Sequence, residues 1–297
     1  MIISVCIATY KREALLEMLL ESLIVQELHD NISLEIVVVD NNSEGSAYRV
    51  LQKFNNSQKI LFKYLIQPEK NISLARNMCV KNATGKFICF IDDDETASKN
   101  WVSSHYNALL KFNADGAFGY TKPIFDVKIP DHFKNRKFYF TFVGVTGGIT
   151  RFYFTTNTIV RADLIKSEAI PFDPGYGLTG GEDVHLFERL AKKGAKFIDC
   201  REALTYEFIP EDRGTETYLF KRALRGGQAF VHRRLEQNNK ISNKLIILTK
   251  ALIMSSYSSM LYFLKYYSKY NKLKNLQILG ASIGKIRSVL KVYQNIY

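Results

Sequence analysis

The chain has 297 residues, of which 46% are hydrophobic and 24% are charged, with a formal net charge of +12. This length supports one large hydrophobic core or a core with an appendage, and the ordinary apolar content excludes a disordered or fibrous chain. The four cysteines form no CxxC pair, which favours reduced core thiols over a disulfide framework or a zinc site. The apolar N-terminal run has no basic residue before it, so it predicts a first strand rather than a signal peptide.

The basic charge is concentrated at one end of the sequence. Residues 213–297 contain 16 lysines and arginines but only two acidic residues, a net charge of +14. Residues 1–212 contain 25 basic and 27 acidic residues, a net charge of −2. This asymmetry predicts an anionic surface, either a membrane or a nucleic acid, as the partner of the C-terminal segment.

The first 95 residues alternate between short β-branched apolar runs and segments with helical spacing of apolar residues. We predict buried strands at residues 2–9, 34–39, 60–66 and 86–91. We predict helices at residues 15–24, 46–54 and 73–80, the last of them capped by Ser73. This alternation indicates an α/β fold with a Rossmann-like, mostly parallel sheet, in which ligands bind beyond the carboxyl ends of the strands.

Polar clusters follow these predicted strand ends. Thr9 and Tyr10 end the first strand, Asp40 ends the second, and three consecutive carboxylates at residues 92–94 follow the fourth. Adjacent carboxylates repel one another and are costly to remove from water. A divalent cation held between them and a diphosphate would remove that cost, because hard cations prefer oxygen ligands. The alternative interpretation is a solvated acidic turn.

The middle of the chain is less regular. We predict a helix at residues 100–112 and strands at 116–124 and 152–160. Between the two strands lies a long loop, residues 126–150, of a kind often used as a lid or binding loop. Two consecutive glycines then precede Glu182 and Asp183, which open a further helix.

The tail is helical in character from about residue 215. Residues 245–264 are strongly apolar but include Lys250 and four serines, and tyrosines and lysines alternate up to residue 274. Twenty apolar residues are long enough to cross a bilayer, yet the serines and the lysine favour helices that lie at the headgroup boundary. Packing within the protein or as a homo-oligomer is the alternative. A nucleic-acid partner is disfavoured, because the apolar run at 245–253 fits a helix face better than a phosphate groove.

An ordered set of segments carries a resemblance to a known family. The segments are residues 5–12, 37–43, Ala75-Arg76-Asn77, 83–86, 90–94, Asn157 with Arg161, Phe172-Asp173 and Gly180-Gly181-Glu182-Asp183. In this order they resemble the inverting glycosyltransferases of family 2, which have the nucleotide-sugar-binding glycosyltransferase A fold. The resemblance covers roughly residues 1–230, which implies a nucleotide-binding half at 1–95 and an acceptor half at 96–230. Residues 231–297 would then form a separate helical, basic, amphipathic extension.

The resemblance implies a role for each residue on the donor side. Asp40 is implied to accept a hydrogen bond from the nucleobase, with Thr9 and Tyr10 cradling the base and Tyr10 able to stack on it. Arg76 is implied to face the base or the diphosphate, the alternative being an ordinary arginine on a helix surface. Asp93 is implied to face the ribose.

The resemblance also implies a divalent metal, either Mn²⁺ or Mg²⁺. Asp94 would be the direct ligand, and Asp92 would complete the DxD pattern. Glu207 stands where many family members have a histidine, and a carboxylate at that place still suits both metals. His185 or His232 could substitute as ligands, although both are predicted to be solvent-facing helix residues.

Inverting transfer requires a base that removes the proton from the attacking hydroxyl. By resemblance, Asp183 is the candidate base, and Glu182 would hold the acceptor or tune its neighbour. The alternative is that both acids simply favour the positive end of the helix dipole. The acceptor side is further implied to include Asn157, Arg161 and Gly181, since a glycine lets substrate approach the backbone closely.

These patterns together predict an enzyme of polysaccharide biosynthesis on the cytoplasmic face of a membrane. It would be a metal-dependent inverting transferase for a hexosyl or N-acetylhexosaminyl group, with a UDP-sugar as donor. The acceptor would be a glycan presented at the membrane or linked to a lipid, an inference that depends on the basic, aromatic tail. The alternative is a degenerate nucleotide-sugar fold that acts as a scaffold without transferring sugar.

Overall fold

The computed structural model describes residues 1–54, 60–141, 143–177, 180–264 and 268–292. Lys265, Tyr266 and Tyr267, part of the predicted tyrosine and lysine alternation, lie outside these residues. The chain divides into two compact units. The first unit comprises Met1–Pro123, Thr141–Gly177 and Glu182–Phe208. The second comprises Ile124–Phe140, Leu178–Gly181 and Ile209–Tyr297.

Eight strands form one mixed sheet in the order β3-β2-β1-β4-β7-β6-β8-β5. The strands are β1 Ile2–Thr9, β2 Ser33–Asp40, β3 Ile60–Ile66, β4 Phe87–Ile91, β5 Glu95–Ala97, β6 Gly116–Phe125, β7 Asn157–Arg161 and β8 Phe197–Ile209. The first four pair in parallel, as predicted, whereas β7 pairs antiparallel with both β4 and β6, and β5 with β8. The predicted fold class is confirmed.

The described helices are α1 Glu13–Ile24, α2 Tyr48–Gln52, α3 Ile72–Asn82, α4 Trp101–Phe112, α5 Ala162–Lys166, α6 Glu182–Lys192, α7 Glu216–Gln237, α8 Ile241–Phe263 and α9 Lys269–Val289. Successive residues of a strand point to opposite faces of a sheet. Accordingly Val5 and Ile7 of β1 join a core with α1 and α4, while Cys6 joins a core with α3 and α6. All four cysteines are buried and free, which agrees with the predicted reduced thiols.

Two predicted elements differ from the structure. Helix α3 is capped by Asn71 rather than Ser73, because the Asn71 side chain accepts hydrogen bonds from the backbone N–H groups of Ser73 and Leu74. The strand predicted at 152–160 begins only at Asn157. The aromatic residues that suggested an earlier start are used in packing instead, since Phe154 meets Phe118 edge to face with ring centroids 5.1 Å apart.

The second unit contains the three long C-terminal helices. Helices α7 and α9 approach closely, and a Cβ on Gly227 or Gly284 would collide with the carbonyl oxygen of Ala281 or Leu224, respectively. The core of this unit joins residues of the 124–140 segment with residues of α7 and α9. The boundary predicted at 230/231 falls inside α7, so the predicted C-terminal extension is continuous with this helical unit.

Helix α8 has an exposed apolar face. Its exposed large apolar residues are Ile241, Leu245, Ile246, Leu252, Ile253, Met254, Tyr257, Met260 and Phe263. Among the described residues it is the one helix long and apolar enough to cross a membrane, and only 17% of its apolar window is buried. A core helix of a soluble protein would be mostly buried, so α8 differs from one in its small buried share.

A buried carboxylate ties together the amino ends of the parallel strands. Glu35 of β2 is completely buried and accepts hydrogen bonds from the Ser4 hydroxyl and from both the backbone N–H (2.7 Å) and hydroxyl (2.8 Å) of Thr84. The Lys63 ammonium lies 2.5 Å from its Oε1 atom. Burial by itself would raise the pKa of Glu35, but these hydrogen bonds outweigh it and lower the pKa below its usual range.

We expect Glu35→Gln to destabilise the protein at neutral pH by about 2 kcal/mol, the scale of hydrogen bonds to a charged group. Because the native pKa of Glu35 is lowered, its stabilising contribution is complete above the unfolded pKa of about 4.3 and is lost as pH falls through the native value. Thermal unfolding at a series of pH values should therefore show the variant and wild type converging in acid. Glu44→Gln, at a side chain that is 78% exposed, is the control and should match wild type at every pH. A Glu35→Gln deficit that persists unchanged in acid would contradict this account.

Candidate active site

The carboxyl ends of the parallel strands bring several of the predicted residues to one edge of the sheet. Thr9 ends β1 and Asp40 ends β2, and the two are direct partners in the parallel register. The acidic triplet follows β4, the other neighbour of β1. This edge is where ligands bind in sheets of this kind.

Asp93 is held by the first strand and the turn after it. It is 5% exposed and accepts hydrogen bonds from the Thr9 hydroxyl at 2.8 Å and from the Arg12 guanidinium at 2.9 Å. The same guanidinium nitrogen of Arg12 lies 3.1 Å from Asp94. Burial raises the pKa of Asp93, an effect that Arg12 opposes and Asp94 reinforces. The ribose contact predicted for Asp93 stays a prediction.

Sequence reasoning missed the part played by Arg12. The sequence shows that Arg12 directly follows Thr9, Tyr10 and Lys11. It does not indicate that Arg12 binds carboxylates more than 80 positions away. Lys11 has a φ of 53°, a left-handed conformation uncommon for a residue other than glycine. This sharp turn stands between the end of β1 and Arg12.

Arg76 connects two carboxylates that are distant in sequence. From α3 its guanidinium forms an ion pair with Glu182, the first residue of α6, and another with Asp92 at 3.2 Å. Burial raises the pKa of Asp92 to about 6, with Arg76 opposing the increase and the nearby charges of Asp94, Asp93 and Asp183 adding to it. The Arg76 side chain is only 11% exposed. Contact of Arg76 with the donor stays a prediction.

Glu182 and Asp183, the two carboxylates that include the predicted catalytic base, are the first residues of α6. Glu182 is 4% exposed, and burial raises its pKa to about 7 despite the opposing charge of Arg76, with Asp183 adding to the increase. Its Oε2 atom has no hydrogen-bond partner among the residues that the structure describes. Asp183 is half-buried, and its Oδ1 accepts a hydrogen bond from the backbone N–H of Val184 at 2.7 Å. A buried acid with a raised pKa, such as Glu182 next to Asp183, is typical of functional sites.

The two glycines before α6 both have a positive φ angle. Gly180 has a φ of 79° and Gly181 a φ of 96°, where a side chain would be strained. The glycines are therefore required by the turn itself, whether or not substrate approaches them. The acceptor role predicted for Gly181 stays a prediction.

Asp40 and Tyr10, both predicted to bind the nucleobase, have different surroundings. Asp40 is completely buried, and its side chain accepts hydrogen bonds from four groups in the first unit. These donors are the backbone N–H groups of Asn42 and Ala47 and the hydroxyls of Ser46 and Tyr64. Tyr10 is 37% exposed, with the Lys70 ammonium 4.5 Å from its ring centroid. The Tyr10 ring is accessible to a base. The Asp40 carboxylate, in contrast, is engaged by hydrogen bonds that hold the loop after β2.

Two residues predicted to contact the acceptor have other partners. Asn157 is completely buried; its Oδ1 accepts from Trp101 and His105, both at 2.8 Å, and its amide donates to Ala203 and Thr205. Arg161 pairs with Phe87 at the far end of the antiparallel β4–β7 pair and binds Asp115 and Asp163. Arg161 therefore lies away from the acidic edge, whereas Asn157 is paired with Ile91, directly before the acidic triplet, with its side chain in a buried network. Their acceptor roles stay predictions.

Glu207 lies directly opposite Glu95 in the antiparallel β5–β8 pair. Burial raises the pKa of Glu95 well above its usual range, and the charges of Asp92, Glu207 and Asp94 raise it further. The four carboxyl groups therefore share one neighbourhood. Glu95 is the fourth acidic residue of the run that begins at Asp92, and no role was predicted for it.

The histidines considered as substitute ligands are placed differently from each other. His185 was predicted to be solvent-facing, which is wrong: it is 7% exposed and stacks on Tyr176 with ring centroids 4.8 Å apart. Packing of α6 on the sheet turns this side of the helix inward, as the burial of Leu186 also shows. His232 is half-buried on α7.

The donor set fits a hard divalent cation. Asp92 and Asp94 offer carboxylate oxygens, the ligands that Mn²⁺ and Mg²⁺ prefer. Partial burial, together with the charges of Asp94, Asp93 and Asp183, raises the pKa of Asp92 against the opposing charge of Arg76, so these acids are costly to keep ionised side by side. A divalent cation would relieve that cost, so these residues are suited to hold one, with Glu207 as the further candidate ligand.

The carboxyl ends of the parallel strands thus present clustered carboxylates together with the half-exposed Arg12 and the largely buried Arg76. A family model described as "Glycosyl transferase family 2" matches residues 4–167. The chain is 30% identical to "Succinoglycan biosynthesis protein ExoM" of Rhizobium meliloti (strain 1021) over 233 residues, 78% of this chain and 74% of that protein. The chain therefore belongs to glycosyl transferase family 2.

Solved structures support the same fold. S. aureus TarS 1-349 in complex with UDP is 16% identical, with a TM-score of 0.55 over 94% of this chain and 90% of that one. The mannosyltransferase PcManGT from Pyrobaculum calidifontis, in complex with GDP-Man and Mn²⁺, is 15% identical, with a TM-score of 0.63 over 95% and 86%. The fold is thus that of the glycosyltransferase A enzymes.

Proposed function

We propose that this protein is a metal-dependent, inverting glycosyltransferase that moves a sugar from a UDP-sugar to a glycan presented at a membrane. The observation that carries the proposal is the convergence of Asp92, Asp94, Arg76 and Glu182 at the carboxyl edge of the parallel strands. Release of UDP from a UDP-sugar in the presence of Mn²⁺ is the experiment that tests it.

The donor class is supported by what the similar structures contain. TarS structures hold UDP or UDP-GlcNAc, and PcManGT holds GDP-Man with Mn²⁺. In this chain, the Tyr10 ring is 37% exposed and offers a face to a base, and the hydroxyl of the preceding Thr9 donates a hydrogen bond to Asp93. We assign UDP rather than GDP on the family resemblance of the segments around Thr9 and Asp40.

The departing diphosphate must be neutralised for the donor bond to break. A divalent metal held by Asp94 and Asp92 would supply this charge as a Lewis acid. The protein adds positive charge of its own, because Arg12 lies against Asp93 and Asp94 on the same edge. Carboxylates and guanidinium groups in fixed positions avoid the cost of reorganising water as charge develops.

Asp183 is the proposed base. It stands beside Glu182, whose pKa of about 7 reflects burial and the neighbouring acid, so two carboxyl groups of different environment share this place. Such a pair is the usual way to divide proton-transfer and positioning roles. Asp183 would accept the proton of the attacking hydroxyl, and Glu182 would hold the acceptor or support Asp183.

The acceptor class is inferred from the relatives and from the second unit. ExoM is named a succinoglycan biosynthesis protein, and TarS a poly(ribitol-phosphate) beta-N-acetylglucosaminyltransferase. One name refers to the biosynthesis of a glycan and the other to transfer onto a poly(ribitol-phosphate), which supports a glycan or lipid-linked acceptor here. Polysaccharide biosynthesis at the cytoplasmic face of the membrane is the corresponding setting.

We propose that the exposed apolar face of α8 rests on a bilayer that contains anionic lipid. Its apolar side chains recur at positions such as Leu245, Leu252, Ile253, Met260 and Phe263, which together follow the helical period. The segment from residue 213 onward carries a net charge of +14, which complements an anionic surface. Each basic side chain near such a surface contributes about 1 kcal/mol, so a few of them with an apolar face suffice for reversible attachment.

We expect the full-length protein to float with anionic vesicles at low salt and to detach at high salt. Ile253→Glu combined with Met260→Glu should abolish flotation, since both side chains are exposed on α8, 62% and 57% respectively. Deleting residues 243–297 is a poorer test, because it would remove Leu273 and Leu276 from the core of the second unit.

Leu110→Glu is the matched control, because Leu110 is an equally exposed apolar residue on α4. That variant should float like wild type. If the wild-type protein ignores anionic vesicles, and the α8 double variant instead converts a dimer into a monomer in light scattering, the face is an interface between two copies and the membrane proposal fails.

A further inference from the structure

The two ion pairs of Arg76 join parts of the chain that carry different proposed tasks. Asp92 belongs to the acidic triplet on the donor side, and Glu182 belongs to the acid pair that opens α6. Arg76 stands between them from α3, and its guanidinium carbon also lies 5.9 Å from the centroid of the Phe172 ring. The sequence separations are 16 and 106 residues, so the connection exists only in the folded protein.

We propose that Arg76 is a positioning residue, which fixes Glu182 and through it the base helix relative to the acidic triplet. This inference rests on the proposed transferase function and adds a role that a donor-binding arginine would not have. A planar guanidinium binds two carboxylates with donor directions that are fixed relative to each other, whereas a lysine ammonium is a point charge with rotatable donors.

The burial of the partners makes this arrangement necessary. Glu182 is 4% exposed, and the Arg76 side chain is 11% exposed. A buried carboxylate that loses the cation of its ion pair is strongly disfavoured, and it responds by taking up a proton or by moving towards water. Either response would displace Asp183, the next residue on α6, by the small distances to which proton transfer is sensitive.

The Phe172 ring limits where the guanidinium can go. Phe172 is completely buried and meets Phe90 of β4 edge to face, with ring centroids 5.6 Å apart. Its backbone is fixed to α3 by a hydrogen bond from the Phe172 N–H to the Asn77 side chain at 2.9 Å. The Arg76 guanidinium therefore packs beside a ring whose position is fixed. A residue that positions other side chains must itself be held in this way.

The test is a double-mutant cycle of Arg76→Met and Glu182→Gln, with UDP release for turnover and calorimetric titration of UDP with Mn²⁺ for affinity. We expect each single variant to lower kcat about tenfold or more and the double variant to be little worse, because both remove the same contact. The Kd for UDP should change by less than about threefold in each, because a positioning residue and its partner do not contact the donor. Arg76→Lys should restore only part of kcat.

Thermal unfolding of the same variants gives a readout that needs no turnover. Glu182→Gln should cost less stability in the Arg76→Met background than in wild type, because the glutamate there has already lost its partner. Coupling in stability with no UDP release by wild type would sink the transferase proposal and leave the contact established. Additive effects on both kcat and stability, with weakened UDP binding in Arg76→Met alone, would make Arg76 a donor ligand and overturn the inference.

Arg189→Met is the control for simple loss of an ion pair on the same helix. Arg189 lies in the last turn of α6 and pairs with Glu168 at 3.4 Å. Its loss should lower stability without changing kcat or the UDP affinity of the folded protein. A kcat loss in Arg189→Met equal to that of Arg76→Met would show that α6 merely needs its ion pairs, and the positioning role would be withdrawn.

Discussion

Asp94→Asn is expected to lower sugar transfer by roughly a thousandfold, because stabilisation of charge by a bound metal contributes several kcal/mol. The substitution preserves the size of the side chain and removes the charge that would hold Mn²⁺ or Mg²⁺. Asp94 lies in the turn after β4 and pairs with the half-exposed Arg12 rather than with the hydrophobic core, so the fold should survive. Turnover is measured as UDP release, and metal-dependent binding of UDP by calorimetric titration; both should fail together.

Asp131→Asn provides the comparison, since Asp131 is a 96% exposed carboxylate outside the site. That variant should retain wild-type transfer and wild-type response to metal. Full activity of Asp94→Asn in the presence of EDTA would refute the metal role of the acidic triplet.

Asp183→Asn is expected to lower kcat by about a hundredfold or more, the usual scale for loss of a general base. Affinity for UDP should hardly change, because Asp183 is proposed to face the acceptor rather than the donor. The measurement is the separation of kcat from the Kd for UDP with Mn²⁺.

Glu188→Gln, on the same helix α6, is the corresponding control and should leave both quantities unchanged. If Asp183→Asn instead loses UDP affinity while each bound donor reacts at the normal rate, Asp183 belongs to the donor site and the base must be sought elsewhere.

The parallel half of the sheet could be predicted because its signals are local. Short β-branched runs separated by helical spacings specify strands and crossovers, and parallel strands place their carboxyl ends on one edge. Thr9 and the acidic triplet could therefore be expected to meet from sequence alone. The hydrogen bond between Thr9 and Asp93 is the result.

The contacts between distant segments could not be predicted in the same way. Nothing local indicates that Arg76 meets Glu182, or that Arg12 meets two carboxylates of the triplet. The surroundings of Asn157 could not be predicted either: its side chain lies in a buried network with Trp101 and His105, which the motif that suggested an acceptor contact does not indicate. Burial and partners are decided by tertiary packing, which a motif does not record.

The tail illustrates a further limit of sequence. Its helices were predicted from apolar content, and their presence is confirmed. Which residues of α8 are exposed, however, depends on the packing of α8 against α9 and of α9 against α7. Only the folded unit shows that Ile253 and Met260 point outward while Leu261 is buried.

The most direct measurement of the central claim is UDP release from a panel of UDP-sugars by the full-length protein, with Mn²⁺ and then with EDTA. The account predicts that at least one UDP-sugar is slowly hydrolysed, that EDTA abolishes the reaction, and that Asp94→Asn reproduces the effect of EDTA. Tight metal-dependent binding of UDP with no release from any donor, even when membranes that carry acceptor are added, would contradict it and indicate a binding scaffold.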